Sequence, residues 1–210
     1  MDIPAFFTSR SDDRLSVSCG RFTSTKTEHW GPAVPFNEAT GAGIIREERS
    51  PAVVVDVDSL ESKAFNEGVM KIMKVRGADL WFMTYIETVD DVFDAFNSGA
   101  DMLLAPYHAV ESDYELEDIH SVSDSFIPVV FTHNGKGVMR NGRLGEVPSI
   151  LESLSDLGFY RTCVVDGEET IPDCIWESLE DDYPSCIPIV DRATVCNNRF
   201  RNRIIPFRPR

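Results

Sequence analysis

Basic residues are scarce in this 210-residue sequence: 20 Lys and Arg stand against 35 Asp and Glu, a formal charge of −15. A body this acidic repels phosphate backbones, which excludes nucleic acid as a partner for the bulk of the chain. Long apolar runs are missing as well. The longest, Ala52–Val55 and Ile127–Phe131, fall far short of the roughly 20 residues that a bilayer-spanning helix needs, so no membrane partner is expected. Cysteine is sparse: Cys19, Cys163, Cys174, Cys186 and Cys196 are odd in number and never form Cys-x-x-Cys. Neither a disulfide framework nor a zinc ribbon fits that spacing, and the five read as reduced, mostly buried small hydrophobes. Met1–Arg10 has an acid at Asp2 and no basic stretch ahead of an apolar one. No secretory signal is read there, and the cytoplasm is the expected compartment. Nothing after a β-rich run matches Gly-x-Gly-x-x-Gly or Gly-x-x-x-x-Gly-Lys, so no nucleotide cradle and no cofactor are expected. Gly-x-Ser-x-Gly is absent too, which leaves acyl transfer without support.

What is present is an alternation. Apolar residues make up 42% of the chain and charged residues 26%, a globular mix with length enough for one core. Ala52–Val57, Leu80–Tyr85, Met102–Ala105, Phe126–Phe131, Phe159–Val165 and Cys186–Val190 read as strands, and Ile3–Phe7 supplies one before them. Helices are expected over Ser59–Arg76, after a cap at Thr88, over Tyr114–Val122, over Pro148–Leu157 and over Ile171–Glu180. Such alternation demands parallel strands with right-handed crossovers, and a repeat of about 25 residues fits a (β/α) barrel. Ser9–Ser50 is the misfit, with a hairpin expected around Leu15–Phe22 and no clear helix. Ile204–Phe207 offers a truncated eighth strand limited by Pro206. The expected architecture is a compact TIM-type (β/α) barrel over residues 1–196, with a reduced first helix and a truncated eighth unit, followed by a basic tail over residues 197–210. Between Arg192 and Arg210 there are six arginines and no acid, so the preceding 191 residues carry −21. That arm is expected to dock on its own acidic body or on a neighbouring subunit, giving a homo-oligomer.

Several segments carry a resemblance. Ile3-Pro4-Ala5, the strand ending Asp56-Val57-Asp58, the run Tyr85-Ile86-Glu87-Thr88 through Gly99-Ala100-Asp101, Ala105-Pro106-Tyr107-His108, and Val129-Val130-Phe131-Thr132-His133 resemble the histidine-biosynthesis phosphoribosyl isomerase and cyclase family. The resemblance covers Pro51–Asp166 and, more weakly, the first five residues. It implies a phosphate-binding (β/α)8 barrel and isomerase or lyase chemistry. In that family an Asp on strand one and an Asp on strand five act as acid and base. Here Phe7 and His133 stand in those positions. The family's glycine-rich turn after strand three is Met83-Thr84-Tyr85-Ile86-Glu87, and its Gly-Thr on strand four is Pro106-Tyr107. Proline removes a donor and Glu87 repels a dianion, which argues against the standard phosphoribosylformimino-aminoimidazole carboxamide ribotide isomerisation.

Residues at the strand ends of a barrel meet at its C-terminal mouth. His133, Asp56 and His108 are the catalytic candidates, with imidazoles suited to acid–base work near neutral pH. Asp58, Thr84, Glu87, Lys136, Arg140, Asp166 and Arg192 are the candidate ligand-binding residues. Each has a plainer reading: Asp56 as a loop-pinning cap, His133 as a hydrogen-bonded loop histidine, Lys136 and Arg140 as solvated charges. The expected partner is a small sugar-derived or carbonyl metabolite. The alternatives are a non-catalytic barrel serving as a binding module or subunit and, less favoured, a metal held by His108, His133 and Asp56.

Overall fold

The computed structural model describes residues 1–11, 14–23, 26–36, 51–72, 79–192 and 200–208. Cys196, the Asn197–Arg199 part of the expected tail and the end of the expected Ser59–Arg76 helix lie outside them. The chain opens with β1 (Asp2–Ser11), β2 (Arg14–Phe22) and β3 (Thr27–Pro35), then β4 (Ala52–Asp56), α1 (Val57–Ser62) and α2 (Gly68–Ile72). There follow β5 (Leu80–Met83), α3 (Val89–Asn97), β6 (Met102–Pro106) with a 3₁₀ turn at Tyr107–Ala109, and α4 (Asp113–Val122). β7 (Phe126–His133), the short hairpin β8 (Lys136–Val138) and β9 (Leu144–Gly145), and α5 (Val147–Asp156) come next. The chain ends with β10 (Cys163–Asp166), α6 (Asp173–Asp182), β11 (Ile187–Val190) and β12 (Arg203–Pro206).

β1, β4, β5, β6, β7, β10, β11 and β12 pair in that order, each neighbour parallel, and β12 returns to β1. They close an eight-stranded (β/α) barrel. Strand alternation divides its apolar residues into two shells. Phe7, Val55, Met83, Leu104, Phe131, Val165 and Ile189 belong to the inner cluster. Phe6, Val54, Phe82, Leu103, Val130, Val164 and Val190 belong to the outer one, packed with helix residues such as Val92, Leu116, Leu151 and Trp176. Each fully buried large apolar side chain contributes about 1.5–3 kcal/mol, so both shells are needed to hold the closed sheet.

Two expectations are corrected here. The helix expected from Ser59 ends at Ser62, because Lys63 adopts a left-handed conformation (φ 54°) with its N–H bonded to the Ser59 carbonyl, and the chain restarts as α2. The truncated eighth strand expected at Ile204–Phe207 is present as Arg203–Pro206, and it closes the barrel, so this part of the segment set apart as a tail belongs to the sheet.

The closure has an uncommon seam. β12 is only four residues long and pairs with the first half of β1, Asp2–Ala5. β2 folds back antiparallel onto the second half, Phe7–Ser11. The expected hairpin therefore exists, and it finishes the edge that β12 is too short to cover. Beyond the seam, β2 and β3 cross the top of the barrel, with Phe22 opposite Thr27 in their register. Arg203, 6% exposed, fixes the seam from below by donating Nε–H and Nη2–H to Asp2 Oδ1 at 3.0 and 2.6 Å.

Arg203→Met is expected to destabilise the fold by about 2 kcal/mol, because one partner of a partly buried ion pair is left alone. Thermal unfolding followed by circular dichroism checks this. A chain truncated before Arg203 is expected to lose cooperative unfolding altogether, since a barrel without its eighth strand has two open edges.

Candidate functional site

The polar residues at the strand ends fall into two groups, and alternation decides which group each joins. On β4 the inward residues are Val53 and Val55, so Asp56 faces outward. Its Oδ1 accepts the Ser59 N–H at 3.1 Å and caps α1. Asp56 is fully buried, Oδ2 has no partner, and burial raises its pKa to about 7. Thr84 donates to Ser59 Oγ at 2.8 Å, and the same Oγ accepts the Tyr85 N–H at 3.1 Å. Asp166 accepts from the Thr170 N–H at 2.7 Å and the Ile171 N–H at 3.0 Å, and burial raises its pKa despite those bonds. Asp58 accepts the Arg10 N–H at 2.6 Å. Asp56 and Asp166 tie their strand ends to the segments that follow, whereas Thr84 and Asp58 tie α1 to the ends of β5 and β1.

Phe22 fills the centre of the mouth. Its ring sits 4.9 Å from Phe7 and 6.5 Å from Phe131, centroid to centroid, within the inner cluster. Two glycines permit this close seat. A Cβ on Gly20 would collide with the Phe7 ring, and one on Gly167 would collide with the Phe22 carbonyl. The exposed pair Arg21–Glu28, with Nε and Nη2 at 2.9 and 2.7 Å from Oε2, links β2 to β3 beside the plug.

The open space lies to one side of that plug. A cleft of about 700 Å³ is lined by Lys26, Leu60, Glu61, Lys63, Tyr85, His108, Val138, Met139, Arg140 and Gly142. Five parts of the chain build it: the turn between β2 and β3, α1 with its end, the segments after β5 and after β6, and the β8–β9 hairpin. His108 follows β6 and packs edge-on against Phe131 at 5.7 Å. Its Nδ1 is buried without a partner. Burial, aided by the Lys63 ammonium, lowers its pKa to about 4, so the imidazole is neutral at pH 7. Arg140 is anchored rather than solvated: Nη1 donates to Asp113 Oδ1 at 2.6 Å, and the guanidinium lies 4.7 Å above the Tyr107 ring. Its Nε and Nη2 are buried without acceptors. Tyr85 continues the inward register of β5 and is pushed toward higher pKa by burial and by Glu87.

Of the residues singled out in the sequence, His108 and Arg140 meet in this cleft. His133 does not line it; His133 Nε2 lies 3.1 Å from the Asn134 amide nitrogen, and Nδ1 is buried without a partner. Lys136 pairs with Glu146 at 2.8 Å, Arg192 approaches Glu169 at 3.7 Å, and Glu87 is exposed, none of them on the cleft wall. In place of the expected convergence of two imidazoles with several carboxylates, the cleft brings one imidazole together with three cations and the single carboxylate Glu61. Among the described residues no three His, Cys, Asp or Glu side chains are grouped to hold a metal ion, so the alternative built on His108, His133 and Asp56 lacks its geometry. Lys26, Lys63 and Tyr85 were not singled out. Tyr85 is legible from the 81, 83, 85 alternation, whereas Lys63 enters only through a backbone conformation that lysine rarely adopts.

No protein-family model matches this sequence, and no curated protein matches it. Among solved structures it is similar to the apo form of the homocysteine methyltransferase MmuM from Escherichia coli. The identity is 12%, the match spans 82% of this chain and 83% of that one, and the TM-score is 0.47. Among the described residues, no helix is long and apolar enough to cross a membrane.

Two measurements probe this arrangement. Asp56 holds its proton more tightly folded than unfolded, so its burial leaves stability untouched at low pH and lowers it as pH rises from about 4 to about 7. Asp56→Asn keeps the cap and is expected to raise stability at pH 8, with the gain vanishing near pH 4 in urea titrations at both values. Gly167→Ala is expected to unseat the Phe22 carbonyl and destabilise the fold by about 1–3 kcal/mol, with new amide-exchange in β2 as the local signature.

Proposed function

We propose that this chain is a phosphoribosyl-isomerase-like barrel that binds a small sugar-derived or carbonyl metabolite in the off-axis cleft, as a binding module rather than an acid–base isomerase. The observation that carries this reading is Phe22 packed inside the barrel mouth against Phe7 and Phe131, which leaves the cleft beside His108 as the accommodating space. A cleft of that volume suits a metabolite-sized ligand. The position where the resembling family has its first catalytic aspartate is Phe7, which packs against the plug. His108 is poorly suited to general base work: a base whose pKa is about 4 gives little driving force for proton abstraction at pH 7. As a neutral ring it still exchanges hydrogen bonds with hydroxyl or carbonyl oxygens.

A panel of aldoses, hydroxyketones and small aldehydes, screened by thermal shift and confirmed by calorimetry, is expected to give ligands whose binding His108→Ala abolishes and Phe22→Ala retains. Binding lost in Phe22→Ala but kept in His108→Ala would move the site to the barrel axis. Steady turnover of a ligand, followed by proton NMR, would restore the enzyme reading.

A further inference from the structure

The cleft's charge runs against that of the molecule. The chain has 35 acidic residues and 20 basic ones, yet the charged side chains lining the cleft are Lys26, Lys63 and Arg140 against Glu61 alone. The pairing of each sharpens the contrast. Glu61 is 3.7 Å from His29 Nε2. Lys26 lies 3.9 Å from Glu28, whose other oxygen is taken by Arg21. Arg140 uses Nη1 on Asp113 and leaves Nε and Nη2 without an acceptor. Lys63 has no carboxylate within ion-pair distance among the described residues, and its charge bears on His108.

Lys63 also occupies a left-handed backbone position, φ 54° and ψ 48°, at the end of α1. Glycine adopts that conformation at no steric cost, whereas lysine does so at the expense of about 1 kcal/mol. An unpaired cation is thus held at the cleft rim by a strained residue, and the Arg140 guanidinium lines the same cleft. Guanidinium and ammonium groups form their strongest hydrogen bonds with carboxylates and phosphates.

We infer that the cleft takes the oxyanion of its ligand, a carboxylate or a phosphate group, between Lys63 and Arg140, with Lys26 adding charge at the rim. Neutral His108 then contacts the uncharged, oxygen-bearing part of the same molecule. This inference rests on the cleft being the ligand site and adds the charge class of the ligand. The acidic body contributes to selectivity, since it repels anions everywhere except where cations are gathered.

The test uses the full chain, with malonate, inorganic phosphate and neutral ribose as probes, read by calorimetry and by the ring resonances of His108. Malonate, phosphate or both are expected to bind and to shift His108, and the one that binds identifies the oxyanion. Lys63→Met and Lys63→Gly are each expected to weaken that binding about tenfold, the loss of one charge-assisted contact. Lys63→Gly relieves the backbone and so is expected to be at least as stable as the parent, which separates lost binding from lost folding. Arg140→Met should act in the same direction. Oxyanion binding unchanged in both Lys63 variants would overturn the inference. Ribose shifting His108 while neither anion does so would also overturn it, yet leave the cleft as the ligand site. Silence from all three probes would remove both readings.

Discussion

Everything above the barrel floor depends on how β1 shares its two edges. On one side it pairs with β4. On the other, four residues of β12 cover its first half and β2 covers its second. A parallel strand cannot be left with an open edge without exposing a row of unpaired amides and carbonyls. The short eighth strand therefore requires β2 to fold back where it does. Once β2 is committed to that edge, its continuation leads across the mouth, and Phe22 lands among Phe7 and Phe131. Blocking of the axis and displacement of the cleft both follow from the length of the closing strand.

The barrel was legible because its strands are short, β-branched and regularly spaced. In runs such as Val53-Val54-Val55 both faces are buried, one in each shell, which is the signature of strands covered by helices on the outside. The eighth strand was harder to read. Ile204–Phe207 reads as a truncated strand, while the surrounding arginines set it in a basic arm; pairing with Asp2–Ala5 makes the strand the one that closes the barrel. Likewise, periodicity carried the helix past Ser62, because hydrophobic spacing contains no record of the left-handed Lys63 that stops it.

The site was partly legible for a related reason. Residue type and nearness to a strand end selected Asp56, Thr84, Asp166 and His108 alike, but side-chain direction separates them. Asp56, Thr84 and Asp166 hydrogen-bond N–H and hydroxyl groups of adjoining helix ends and loops. His108 instead borders open space. Counting in twos from the buried strand residues recovers Tyr85 on the inward side and Asp56 on the outward side. It does not recover Lys26, which enters from the turn of a distant hairpin.

Burial at the ends of β4 and β6 inverts the usual order of basicity. Asp56 gains its proton near pH 7 and His108 loses its own near pH 4, whereas in an unfolded chain the carboxyl is the far stronger acid of the two. Between those values, folding in effect transfers a proton from the imidazole to the carboxyl. One positive and one negative charge disappear together, so the net charge hardly changes. At pH 5 to 6 the proton traffic with solvent at these two residues nearly cancels, and the mouth becomes less ionic than its sequence implies.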